Sequence, residues 1–188
     1  MIAFDGPPPD DRTQRPISAA EAAEAAEAAA DLTVDRRTPA PDLEESSVKK
    51  AIVVYRSHSG VTRRYGEEIA AYLNTRGVAA KAVSVGECDM STLSGADYLL
   101  LGCWTSGLFV VGQHPDEPWL AFVRAMPRLT DSGPKVALFT TYKLLAGSQF
   151  QRMRAALVGK TATPELELKS RDGRLSPKDD EALGLFVA

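Results

Sequence analysis

The sequence predicts an α/β domain in which an open parallel sheet carries helices on both faces. From residue 48 onward, apolar segments typical of strands alternate with amphipathic segments typical of helices. The most apolar of the strand segments, ADYLLLGCW at 96–104, has no polar face, as expected of a central parallel strand. Five such strands alternating with helices predict a doubly wound sheet built from three layers.

The first half of this domain contains three of the five predicted strands. KKAIVVYR, 49–56, is predicted to be a buried strand, and VTRRYGEEIAAYLNTRG, 61–77, a helix that ends at a glycine. VAAKAVSV, 78–85, is the second strand. A loop with one possible turn at MSTL leads to the third strand, 96–104.

The second half continues the same alternation. A helix over 118–126 precedes the fourth strand, PKVALFTTY at 134–142, and a second helix covers 148–159. ATPELELKS, 162–170, is less apolar, which predicts a strand at the edge of the sheet. The last helix, 176–187, opens with Ser-Pro, a frequent helix start.

Residues 1–47 differ from the rest in composition and charge. Four basic residues against eleven acidic ones give this segment a net charge of −7, and 18 basic against 14 acidic give 48–188 a net +4. Residues 1–17 are rich in Pro and Asp, and 17–32 repeat Ala and Glu, which favours a marginal helix. We therefore expect an acidic, mostly disordered N-terminal extension and a folded domain over 48–188.

The composition also limits the class of protein. No run of ~18 apolar residues appears, and the start, MIAFDGPPPDD, lacks the basic and apolar parts of a secretory signal. The two cysteines, Cys88 and Cys103, are too few for a metal site of their own and fit a reducing compartment. We expect a cytoplasmic protein whose partners include neither a membrane nor a nucleic acid, and we predict no metal site.

The loop after the first strand, SHSGVT at 57–62, is the most informative stretch. It places three hydroxyls, a glycine and no acid where a helix begins. Amides at a helix N-terminus lack intrahelical partners and carry the positive end of the helix dipole. With the hydroxyls of Ser57, Ser59 and Thr62, they predict a phosphate site. A capped turn without a ligand is the alternative, and the histidine of this loop, His58, either donates to the phosphate or faces solvent.

Several common phosphate and nucleophile motifs do not match this loop. The glycine spacing and lysine of a Walker loop are missing, as is the GxGxxG pattern. Ser-His-Ser-Gly lacks the leading glycine of a nucleophile elbow, and neither His58 nor His114 has the late position that a hydrolase base needs. We expect His114 to be an ordinary loop residue.

Ligands of open parallel sheets bind at the carboxyl ends of the strands, where the strand order reverses. If that point lies between the first and third strands, the loops 57–62, 104–112 and 142–147 converge there. Trp104 and Tyr142 then lie at the same edge, where at least one of them could stack on a planar ligand. Trp104 could instead cap the hydrophobic core.

Here the sequence resembles the flavodoxin family. VVYRSHSGVT, 53–62, is similar to that family's first strand and phosphate loop, which ends in Gly-x-Thr, and LSGADYLLLGCWTSG, 93–107, is similar to its third strand and flavin-flanking loop. The resemblance covers roughly 49–187. Trp104 stands where the family commonly has proline, and Thr140-Thr141-Tyr142 replaces its Gly-x-Gly-Asp pattern.

The resemblance implies a three-layer, flavodoxin-like fold with strand order 2-1-3-4-5 and an FMN-binding electron-transfer flavoprotein that exchanges electrons with redox partner proteins. It also implies a flavin site. Its expected residues are Ser57, His58, Ser59, Gly60, Val61 and Thr62 around the phosphate, and Trp104, Thr105, Ser106, Gly107, Thr141 and Tyr142 beside the ring. Two alternatives stay open: an FMN-dependent NAD(P)H or quinone oxidoreductase, and a flavin-free binding module on the same fold.

Overall fold

The computed structural model describes residues 48–106, 112–129, 132–144 and 146–188. The extension expected over 1–47 therefore lies outside the described residues. The described residues form one parallel sheet with four α-helices. The strands are β1 (Lys50–Arg56), β2 (Ala79–Ser84), β3 (Tyr98–Trp104), β4 (Lys135–Thr141) and β5 (Leu166–Ser170). The helices are α1 (Val61–Thr75), α2 (Glu117–Ala125), α3 (Gln149–Leu157) and α4 (Pro177–Val187), and a 3₁₀ helix spans Met90–Gly95.

The strands are arranged in the order β2-β1-β3-β4-β5, and every pairing is parallel. This confirms the predicted fold class, the strand order and the edge position of β5. The expected turn at MSTL is the start of the 3₁₀ helix, whose N-cap Asp89 accepts a hydrogen bond from the Ser91 amide. Strand β5 begins four residues later than 162, the start predicted from sequence, after Pro164, which has no amide to donate to a neighbouring strand.

Each face of the sheet packs against two helices. Helices α1 and α4 bury Tyr65, Ile69 and Leu183 on one face, against strand residues such as Phe139. Helices α2 and α3 bury Trp119, Phe122 and Met153 on the other face, against residues such as Leu101. Because both faces are covered, the central strands β3 and β4 are almost wholly buried, as their apolar sequences indicate.

A glycine in β3 makes room for a ring of the neighbouring strand. A Cβ added at Gly102 would lie 2.1 Å from atoms of the Phe139 ring, so only glycine fits beneath that ring. Phe139 in turn meets Tyr65 of α1 edge to face, with 5.8 Å between ring centroids. This contact holds helix α1 against the centre of the sheet and thereby places its first turn at the carboxyl edge.

Among the described residues, no helix has both the length and the apolar character required to cross a bilayer.

Candidate functional site

The loops after β1, β3 and β4 meet at the carboxyl edge of the sheet. The hydroxyl oxygens of Thr62 and Thr141 lie 2.6 Å apart, which joins the first loop to the third. The Thr105 amide donates to the Thr141 carbonyl at 2.9 Å, which joins the second loop to the third. The structure therefore brings together the three groups of site residues that the sequence places on separate loops.

The first loop leaves the start of helix α1 without an acidic or capping side chain. Gly60 occupies the N-cap position in the left-handed region, with φ of 86°, which glycine adopts without steric cost. No side chain caps this helix, and its first turn contains no acid. The amides of Val61, Thr62 and Arg63 precede any intrahelical acceptor. A Cβ added at Gly60 would meet no atom within 4 Å, so the space beside these donors is open.

The three hydroxyls of the first loop have different roles. The half-buried Ser57 accepts a hydrogen bond from the Gly60 amide at 3.0 Å, and its own hydroxyl hydrogen is still available to a ligand. Ser59 is exposed. Thr62 is only 1% exposed and is paired with Thr141. Two hydroxyls in contact use one of their two hydrogens, so this pair can also donate one further hydrogen bond.

Trp104 is held on two sides at the end of strand β3. Its indole Nε1 donates to Asp116 Oδ2 at 2.9 Å, and its ring stacks with the imidazole of His58, with 5.1 Å between centroids and 27° between planes. The half-buried indole also packs at the rim of the core on the α2 side. Trp104 thus borders the core, as the alternative interpretation held, and at the same time lies beside the first loop.

The loop that follows Trp104 is pinned at both of its described ends. Ser106 and His114 form an antiparallel bridge, with amide-to-carbonyl distances of 3.3 and 3.1 Å. The Thr105 hydroxyl lies 3.2 Å from that of Thr140. His114, expected to be an ordinary loop residue, therefore closes this loop through its backbone, whereas Gly107 lies outside the described residues.

A fourth loop reaches the same edge. The Tyr142 amide donates to the Ser170 carbonyl at 3.1 Å, at the point where β4 and β5 end. The Ser170 hydroxyl then accepts from the Gly173 amide at 3.0 Å. A Cβ at Gly173 would lie 2.4 Å from the Val61 carbonyl oxygen, so this loop packs directly on the start of α1. The sequence analysis did not assign it to the site, although its Asp-Gly pair is a turn signal.

Asp116 is the functional candidate that the sequence analysis missed most clearly. It is the N-cap of α2 and accepts from Trp104, from Arg56 Nε at 2.7 Å and from the Trp119 amide at 3.3 Å. The Cys103 thiol lies 3.7 Å from Asp116 Oδ1. Asp-x-Pro at 116–118 could have identified the cap, but the partners at Arg56 and Trp104 are distant in sequence.

Two features define the electrostatics around the first loop. Arg63 pairs with Glu67 at 2.7 Å and Arg64 with Glu68 at 4.0 Å, each one helical turn further on, so both guanidinium groups at the start of α1 have acidic neighbours. Burial raises the pKa of the Cys103 thiol far above its usual value, so this thiol stays protonated beside Asp116.

Within the described ranges, no cluster of three or more His, Cys, Asp or Glu side chains could hold a metal ion.

Known proteins resemble this chain in sequence and in fold. No family model matches the chain. The flavodoxin of Clostridium beijerinckii is 31% identical over 90 residues, which are 48% of this chain. The chain spans 62% of the length of that curated relative.

Two solved structures show the likeness in fold. The two-electron reduced flavodoxin of Megasphaera elsdenii has a TM-score of 0.59 at 20% identity, covering 72% of this chain and 96% of its own. Oxidised flavodoxin 1 of Bacillus cereus has a TM-score of 0.56 at 22% identity, covering 74% of this chain and 95% of its own. The described chain is flavodoxin-like in its sheet order and overall fold, and it is similar in sequence to a flavodoxin.

Proposed function

We propose that this chain is an FMN-binding electron-transfer flavoprotein of the flavodoxin type. One observation carries the proposal: the uncapped N-terminus of α1 lies beside Trp104, since His58 of the first loop stacks on the indole. A group of backbone amides suited to a phosphate and an aromatic surface suited to a planar ring are thus adjacent at one edge of the sheet. FMN carries both chemical features in one molecule.

The residues present fit such a group. Around the open space at Gly60, the hydroxyls of Ser57 and Ser59 would hold the phosphate together with the amides of 58–62, apart from the Gly60 amide, which donates to Ser57. Thr62 would support this loop through Thr141, and any direct contact with the phosphate would use the spare hydrogen of that pair. The loop offers one anion site, which favours FMN over FAD. The residues proposed to flank the ring are Trp104, Thr105, Ser106, Gly107, Thr141 and Tyr142.

Flavins accept and donate electrons singly or in pairs, and the protein supplies binding, orientation and electrostatics. In this chain the first loop would bind the phosphate and the ends of β3 and β4 would orient the ring. Asp116 balances the charge of Arg56 beside Trp104, so this part of the edge carries paired charges. The proposed partners are redox proteins that exchange electrons with the flavin. The free thiols Cys88 and Cys103 support a reducing compartment such as the cytoplasm.

The test is a visible absorption spectrum of the purified chain, followed by mass spectrometry of the cofactor released on unfolding. We expect a flavin spectrum and FMN. A colourless chain that also fails to take up added FMN would overturn the proposal in favour of a flavin-free module. Rapid NADH or NADPH consumption by the flavin-loaded chain alone would favour an oxidoreductase over a carrier.

A further inference from the structure

We infer that Asp116 is a positioning residue that sets the orientation of Trp104 at the ring side of the site. The inference rests on the proposed function, because it concerns the surface on which the flavin ring would stack. It extends that function to a residue remote from the first loop in sequence. Asp116 itself need not touch the ring.

The carboxylate of Asp116 joins three parts of the carboxyl edge. Its Oδ2 accepts from Trp104 Nε1 at 2.9 Å, at the end of β3, and from Arg56 Nε at 2.7 Å, at the end of β1. Its Oδ1 accepts from the Trp119 amide at 3.3 Å, in the first turn of α2. The side chain is only 12% exposed. The two hydrogen bonds at Oδ2 have the short lengths typical of a carboxylate acceptor, so this oxygen is well defined.

The position of the Asp116 carboxylate determines how its hydrogen bond orients the indole of Trp104. Trp104 is the last residue of β3, and its half-buried ring also packs at the rim of the core. A hydrogen bond at Nε1 holds the ring by its edge and blocks neither face; because His58 lies against one of them, a flavin ring would stack on the other face or replace the imidazole. The imidazole of His58 stacks on the indole, which shows that a planar group fits against it in this orientation.

Asp116 also has a second role, as the cap of α2, and a variant must separate the two. Asn caps helices about as well as Asp, so Asp116→Asn keeps the helix start. It removes the negative charge of the group that accepts hydrogen bonds from both Arg56 and the indole. Asp89→Asn is a matched control: Asp89 is likewise an N-cap, of the 3₁₀ helix, and its side chain accepts hydrogen bonds from Ser91 of its own segment.

The first experiment uses the flavin-free chain and needs no cofactor. The sequence contains two tryptophans, and Trp119 Nε1 is buried without a hydrogen-bond partner in the described part of the chain. In a ¹⁵N–¹H spectrum we expect Asp116→Asn to shift the Trp104 indole signal and speed its exchange with water. The Trp119 indole signal should change much less, and Asp89→Asn should move neither. An unchanged Trp104 signal in Asp116→Asn would overturn the inference.

The second experiment measures FMN dissociation constants. Asp116→Asn should weaken binding about tenfold, which corresponds to ~1.4 kcal/mol. Trp104→Phe keeps an aromatic ring but removes the N–H donor, so it should weaken FMN binding by a similar factor. This variant serves as the test if Asp116→Asn proves unstable. In the Trp104→Phe background, Asp116→Asn should have little further effect, because both changes remove one interaction. Effects that add in the double variant would overturn the inference.

A wild-type chain that binds no FMN would contradict the proposed function, and the indole spectrum would then decide whether Asp116 positions Trp104.

Discussion

The hydroxyl groups of Thr62 and Thr141 lie 2.6 Å apart, and this contact joins the first turn of α1 to the last residue of β4. Both residues are buried, at 1% and 5% exposure. A buried hydroxyl that loses its partner costs about 1–3 kcal/mol, whereas replacing both partners with apolar groups of similar shape is nearly neutral. The pair therefore couples the proposed phosphate loop to the ring side of the site.

We expect Thr62→Val and Thr141→Val each to lower the free energy of unfolding by about 1–3 kcal/mol, since each leaves one buried hydroxyl unpaired. The double variant should lose less than the sum of the two. Urea unfolding of the flavin-free chain measures all three. Strictly additive losses would show that the two hydroxyls do not depend on each other.

Gly60 and Gly77 offer a matched pair at the two ends of α1. Both have positive φ, 86° and 78°, and an added Cβ would meet no atom at either. Ala at each position should therefore destabilise the fold by a similar amount, about 1–2 kcal/mol, through backbone strain. Only Gly60→Ala should also weaken FMN binding, because only Gly60 lies beside the proposed phosphate site. Equal FMN affinity in the two variants would remove the first loop from the site.

Arg63 and Arg64 should contribute little to FMN binding. Exposed cations in a first turn oppose the helix dipole, and here both are paired with Glu67 and Glu68 one turn further on. Replacing both arginines with Gln should cause a small loss of affinity that disappears as salt rises. Replacing both glutamates with Gln should instead raise the FMN affinity slightly, and this gain should also disappear as salt rises. A large, salt-independent loss would mean that an arginine contacts the phosphate directly.

Tyr65 should make the fold less stable at alkaline pH. Burial, and next the negative charge of Asp179, raise its pKa above the usual value of about 10. The unfolded chain then loses this proton at a lower pH than the folded chain. The stability linked to the proton is fully present below about pH 10 and falls as the pH rises above it.

Tyr65→Phe tests both this pH dependence and the buried hydroxyl, which has no hydrogen-bond partner in the described residues. At neutral pH the variant should be as stable as the wild type or more stable, and its unfolding free energy should fall less on alkaline titration. Destabilisation at neutral pH would show that the hydroxyl is satisfied, for instance by Asp179.

The N-terminal extension is expected to be separable from the domain. A chain that begins at Ser47 should fold, bind FMN and melt within a few degrees of the full chain, because residues 1–47 contain little apolar surface to bury. Calorimetry and FMN titration of both chains check this. An insoluble or colourless shorter chain would place part of the extension within the fold.

The sequence by itself determined the order of the elements, because hydrophobic periodicity reports burial within each segment. Tyr98–Trp104 contains no charged residue, and that pattern is typical of a strand covered on both faces. For the first loop, the sequence predicted a helix start with hydroxyls, a glycine and no acid, and the structure showed that no side chain caps it. Such features depend on neighbours a few residues away.

Only the tertiary structure decided how side chains from separate loops are paired. Thr62 looked like one of three phosphate donors, but its hydroxyl meets Thr141, 79 positions later. The sequence analysis gave Asp116 no role, yet this residue accepts from Trp104 and from Arg56, which lies 60 positions before it. Such pairs depend on strand order and register, which bring residues distant in sequence to the same edge of the sheet, and no local pattern records which of them will meet.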